Sequence, residues 1–156
     1  MNSNRRKVLE GTGSMAVMGL AVSAGLFKPG SACAQSWNKA SFETRTLADT
    51  VKALGGAGAT ESKDITITSP DIAENGAVVP FTIASRVPKT EAIALLVEKN
   101  PNALAANFTL PAGTEAGITT RVKMGQTSNV IALVKADGKF YYTSKEVKVT
   151  LGGCGG

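Results

Sequence analysis

Between residues 42 and 54 the apolar positions Leu47, Val51 and Leu54 recur at i, i+4 and i+7, one face of a helix. Gly55-Gly56 ends that helix, and residues 55–60 read as a loop. The period then changes to two. Ile65 and Ile67, then Val79, Phe81 and Ile83, then Ile93, Leu95 and Val97 alternate with polar neighbours, as half-buried strands do. Further apolar runs occupy 118–124, 130–135, 140–143 and 147–151. Asn75-Gly76 and Asp137-Gly138 punctuate them, the second being a strong hairpin signal. One helix followed by about seven short strands predicts a mainly β fold, an immunoglobulin-like antiparallel β-sandwich with one N-terminal helix. Such a domain is a scaffold rather than a cleft.

The 34 residues at the start change the picture of both size and charge. Asn4-Arg5-Arg6-Lys7-Val8-Leu9 precedes an apolar, glycine-interrupted stretch from Gly11 to Phe27, and Ala32-Cys33-Ala34 follows. Paired arginines, a moderately apolar middle and small residues at the end fit a twin-arginine export signal cleaved after Ala34, which places the mature protein in the periplasm. Glycines and Lys28-Pro29-Gly30 break the run, so no transmembrane anchor is expected. A lipoprotein signal centred on Cys33 is the alternative, with Gly30 standing where such signals carry a branched apolar residue. Residues 35–151 then form one domain, a size at which a single core closes.

The full chain carries +5, but Arg5, Arg6, Lys7 and Lys28 against Glu10 leave with the signal, so about +2 remains. That charge is too small and scattered for nucleic-acid or membrane-surface binding. Histidine is absent from the sequence, which removes the usual zinc, copper and haem ligand sets and the Ser-His-Asp and Cys-His arrangements. No cofactor site is expected. A twin-arginine substrate crosses the membrane folded, so without a cofactor the better reason for that route is a partner folded alongside it.

Cys33 also leaves with the signal, and Cys154 becomes the lone cysteine of the mature chain. In an oxidising compartment it is either half of an intermolecular bond or a thiol kept for its chemistry. Its setting, Gly152-Gly153-Cys154-Gly155-Gly156, favours the second, because glycines have no Cβ and let the thiol sweep. The bland alternative is a frayed end with an incidental cysteine. No cationic side chain lies within two residues of Cys154 to favour its thiolate.

Within the domain the candidates for chemistry are weaker. Glu61, Asp64, Asp71 and Glu74 bring carboxylates near strand ends without a spacing that specifies an acid-base pair, and read as solvated surface. Tyr141 and Tyr142 point to opposite faces of a strand, so one belongs to the core and the other to the exposed face. Pro70, Pro80 and Pro88 mark strand ends or edges. No glycine-rich phosphate loop links a strand to a helix.

The paired-arginine signal, the strand-rich domain and the terminal Gly-Gly-Cys-Gly-Gly together resemble the SoxY family of sulfur carriers. The resemblance extends to Ile72-Ala73-Glu74-Asn75-Gly76-Ala77-Val78-Val79-Pro80, to Glu98-Lys99-Asn100-Pro101 and to Val147-Lys148-Val149-Thr150. Val8 and Glu10 depart from the usual signal, where phenylalanine and lysine are common. The resemblance implies that Cys154 is the covalent attachment site and that Gly152, Gly153, Gly155 and Gly156 form a swinging arm. It implies a heterodimer with a SoxZ-like subunit, and transient docking to the SoxAX haem enzyme, the SoxB hydrolase and a SoxCD-type dehydrogenase. The chain itself would carry while those partners catalyse. The alternative from another class is an exported structural or adhesive domain whose Cys154 staples it to another chain. A thiocarboxylate carrier of the ubiquitin-like kind does not fit an exported chain.

Overall fold

The computed structural model describes residues 38–150. The expected export signal and the Gly152–Gly156 arm lie outside the described residues. Two short helices, α1 (Lys39–Phe42) and α2 (Leu47–Ala53), precede nine strands among the described residues. These are β1 (Thr60–Glu61), β2 (Ile65–Thr68), β3 (Ile72–Ala73), β4 (Val79–Ser85), β5 (Thr90–Val97), β6 (Leu104–Thr109), β7 (Gly117–Val122), β8 (Ser128–Ala136) and β9 (Lys139–Val149).

The expected single helix is split by its threonines. Thr44 Oγ1 donates to the Ser41 carbonyl at 2.6 Å, and Thr46 caps α2 by accepting the Asp49 N–H at 3.1 Å, so both hydroxyls satisfy backbone groups that a continuous helix would use. Helix α2 then closes as expected at the glycines. Gly55 takes φ +84° and donates to the Lys52 carbonyl, while Gly56 donates to Val51, the paired bonds of a Schellman end.

Two sheets face each other. The larger runs β1-β9-β8-β5-β6, with β3 also pairing β9, and the smaller runs β2-β4-β7. Val79, Phe81 and Ile83 alternate inward along β4 and meet Ile93, Leu95 and Val97 of β5 with Val130 and Val134 of β8. This is the immunoglobulin-like β-sandwich expected from the period-two runs, with the solvated face of β4 carrying the cross-strand pair Thr82–Thr119 at 3.1 Å. The hairpin at Asp137-Gly138 is present, with φ of +49° and +72° at the two turn residues, the geometry that makes Asp-Gly favoured there.

Residues 93–97 are buried without alternation because the outer face of the larger sheet is covered as well. Ala94, Leu96, Leu104 and Leu133 pack beneath Leu47, Val51 and Leu54 of the helical layer. This third layer corrects the reading of the tyrosines. Tyr141 packs into the sandwich and Tyr142 against the helix-side cluster, so both are half-buried.

Two further features depart from the sequence pattern. Strand β6 lacks large alternating residues, since Leu-Ala-Ala-Asn-Phe-Thr is built mostly from small or polar side chains, and it holds the sheet edge through pairing with β5. The runs 140–143 and 147–151 join into one strand ending at Val149. Lys145 sits between them on the sandwich side, where its ammonium donates to the Ser69 carbonyl at 2.7 Å instead of interrupting the strand.

Candidate functional site

The long strand β9 ends one residue before Thr150, the last described residue ahead of the Gly-Gly-Cys-Gly-Gly segment. Cys154, Gly152, Gly153, Gly155 and Gly156 themselves lie outside the described residues. What the domain shows is how the approach to that segment is held. Pairing of β9 with β8 stops at Ser128–Val147, so the next residues have lost their main-sheet neighbour. Strand β3 replaces it on the opposite edge, running parallel with Ile72 beside Lys148 and Ala73 beside Val149.

Three successive amides are bonded in consequence. Lys148 N–H donates to the Asp71 carbonyl at 2.9 Å and Thr150 N–H to the Ala73 carbonyl at 3.1 Å. Val149 N–H, pointing the other way, donates to the Thr127 hydroxyl at 3.0 Å. Below β3 the chain turns at Asn75, whose side-chain oxygen accepts the Ala77 N–H at 2.9 Å. Asn75-Gly76 is thus a side-chain-stabilised turn on a loop, not a two-residue hairpin.

Gly76 is buried in that turn, and its carbonyl accepts the Met124 N–H at 2.7 Å. A Cβ there would strike the Met124 carbonyl oxygen and lie 2.7 Å from Val149 Cγ1. Glycine is required here for close approach, since two backbone segments and the end of β9 converge on one point. Ile72 and Val78, the two exposed large hydrophobic residues among the described residues, lie on this same stretch of chain.

The four carboxylates singled out from sequence do not assemble into a site. All four are exposed, with Glu61 on β1 beside Tyr142 and Asp71 and Glu74 flanking β3 beside the end of β9. No cluster of three or more histidine, cysteine or acidic side chains suited to a metal occurs among the described residues.

The Asp71 carboxyl is perturbed by its neighbours. The hydrogen bond from Lys145 and its charge, 2.9 Å from Asp71 Oδ1, hold the carboxyl below its ordinary value of 3.8, with Lys148 adding to the pull and slight desolvation opposing it. The folded-state value is the lower one, so the pair stabilises the fold above the ordinary carboxylate pKa and is lost as pH falls through the depressed one. The Asp71 side chain is 89% exposed against 28% for Lys145, so solvent screens most of the energy and the lysine is the better fixed partner. A carbon-detected NMR titration should place the Asp71 midpoint below 3.8. A midpoint at or above that value would mean that the pair does not form in solution.

A second feature is an apolar groove of about 500 Å³ between α2 and the larger sheet, walled by Leu47, Val51, Leu96, Ile131, Leu133 and Tyr142. Seven residue steps along β9 lead from Tyr142 to Val149, roughly 23 Å of strand. The groove therefore stands well away from the end of β9. Sequence periodicity missed it because it depends on how the helical layer seats over the partly buried Ile131 and Tyr142.

Comparison with known proteins follows the same geography. The family model for the sulfur oxidation protein SoxY matches residues 51–154, a span that begins in α2 and ends on Cys154. The solved structure of the sulfur carrier protein SoxY from Chlorobium limicola f thiosulfatophilum is similar, with a TM-score of 0.63 and 35% identity, over 73% of this chain and 100% of that one. A superoxide reductase (neelaredoxin) from Ignicoccus hospitalis reaches a TM-score of 0.50 at 14% identity, over 55% of this chain and 80% of its own, and shares the fold alone. A search of curated proteins finds no match. With two thirds of its length matched by the family model and a solved SoxY chain aligned over all of its own length, this chain belongs to the SoxY family of sulfur oxidation proteins.

Proposed function

We propose that this chain is a periplasmic carrier that holds thiosulfate-derived sulfur covalently on Cys154 and presents it to partner enzymes. The observation that carries the reading is that the family match runs through the end of β9 to its last matched residue, Cys154. The described domain supports carriage in that the amides of Lys148, Val149 and Thr150, on the stretch of chain that leads to the cysteine, are each hydrogen-bonded.

In the cycle that the family implies, the Cys154 thiol loses its proton and joins the terminal sulfur of thiosulfate. The new S–S bond releases two electrons to a haem partner. Water then attacks the sulfonate sulfur in a hydrolase, and sulfate departs with a persulfide left on Cys154. The persulfide sulfur is oxidised or passed on by a dehydrogenase-type partner. The chain supplies one nucleophilic sulfur and a slender approach to it. Glycines at 152, 153, 155 and 156 let that sulfur enter a narrow active site that β-carbons would obstruct, and the tether keeps it at high effective concentration near a docked partner. Twin-arginine export then fits a folded complex with a SoxZ-like subunit that travels under this chain's signal.

Intact-mass analysis of the protein purified without reductant from thiosulfate-grown cells tests the reading. A series of masses matching thiosulfonate and persulfide on a peptide containing Cys154 is expected. A quantitative disulfide to another polypeptide would instead favour the structural or adhesive reading.

A further inference from the structure

Strand β9 outruns the sheet that supports it. After Val147 its partner β8 has ended, and a strand end with one free edge ordinarily frays. Here each amide from Lys148 to Thr150 nevertheless has an acceptor, supplied alternately by β3 and by a side chain. The Thr150 hydroxyl adds a bond to the Ala73 carbonyl at 3.4 Å. Gly76 wedges the turn after β3 against both the Met124 backbone and Val149. The Lys145 ammonium ties the strand to Ser69 and Asp71 at the entry to β3. Pairing between residues about the seventies and the late 140s spans half the chain, and no periodic pattern required it.

We propose that β3, the Asn75-Gly76 turn and the Thr127 hydroxyl form a collar that fixes the point at which the chain leaves the domain after Thr150. Thr127 and Gly76 are thus positioning residues for the delivery of Cys154. This rests on the carrier function proposed above. A fixed pivot keeps the tether short: four steps separate Thr150 from Cys154, and release of the strand back to Lys148 would make them six. Effective concentration at a docked active site falls roughly as the −3/2 power of tether length, so loosening the collar dilutes the thiol about twofold even before its direction is lost. The thiol's own reactivity is expected to be untouched, because the collar residues nearest Cys154 in sequence, at the end of β9, keep their side chains and the substitutions fall at Thr127 and Gly76.

The test uses the mature chain with its partner subunit, carrying Thr127→Val, Thr127→Ser or Gly76→Ala. Amide hydrogen exchange should show Val149 and Thr150 protected in the parent. In Thr127→Val, protection at Val149 should fall about fivefold, as expected for loss of one net hydrogen bond, with Leu95 unchanged and Thr127→Ser restoring it. With a purified haem partner, thiosulfate and ferricyanide as electron acceptor, kcat/KM should drop about two- to threefold in Thr127→Val and in Gly76→Ala. Alkylation of Cys154 by iodoacetamide should proceed at the parent rate throughout. Equal exchange at Val149 in parent and Thr127→Val would overturn the collar, and lost protection with undiminished transfer would overturn its positioning role. If the parent accepts no sulfur from the haem partner, the carrier reading fails, whereas the exchange data still decide whether the collar exists. Should Gly76→Ala not fold, the two Thr127 variants decide the question alone.

Discussion

Cys154→Ser is expected to reduce sulfur-compound oxidation to background while leaving the melting temperature and partner binding unchanged. A serine hydroxyl is a far weaker nucleophile than a thiolate near neutral pH, and it forms no persulfide. Cys154 follows Thr150, the last described residue, by four positions in the sequence, and on the carrier reading its thiol bears no packing load. Thermal denaturation and thiosulfate-dependent electron transfer, measured on the same preparation, separate the two consequences. A variant that still turns over would remove Cys154 from the chemistry, and one that loses stability would mark the cysteine as structural.

A large but incomplete loss is expected when Gly152 and Gly153 are both replaced by valine, with an intact thiol. Branched side chains restrict the backbone and widen the segment that, on the carrier reading, enters a partner's active site. Small displacements at a reacting centre cost as much as about a hundredfold, so a fall in kcat/KM of about tenfold to a hundredfold is predicted. Iodoacetamide, which needs no channel, should label the double variant as fast as the parent. If purified partner enzymes used the valine arm as readily as the glycine arm, slimness and reach would not be what those glycines provide.

The sandwich was legible because its inner positions are large and strictly alternating. Val79, Phe81 and Ile83 announce β4, and Asp137-Gly138 announces the β8–β9 hairpin, with its left-handed φ values at both turn residues. The helix face Leu47, Val51 and Leu54 was equally plain, although Thr44 and Thr46 break the helix by hydrogen bonds that apolar periodicity does not register. Strand β6 escaped because alanines carry little β signal. The helical layer's reach over Tyr142 escaped because burial of an outward-facing residue is set by a distant element. The glycine-flanked cysteine stands out by composition alone, and the family match ends on it. The collar behind it does not stand out in this way. Gly76 reads as an ordinary turn residue until Met124 and Val149 are brought against it, and Thr127 carries no motif at all.

The two shortest strands also bear on how this molecule avoids its own kind. Strand β9 has eleven residues, and the edge not paired with β8 would be an inviting template for another chain to add a strand. Strand β1 covers that edge at Tyr141–Tyr142 and β3 covers it at Lys148–Val149, each running parallel and only two residues long. The uncovered middle carries Lys145 and Glu146, a pair of opposite charges that an incoming apolar strand would have to desolvate. The domain thereby keeps its longest flank closed to strand addition from another chain.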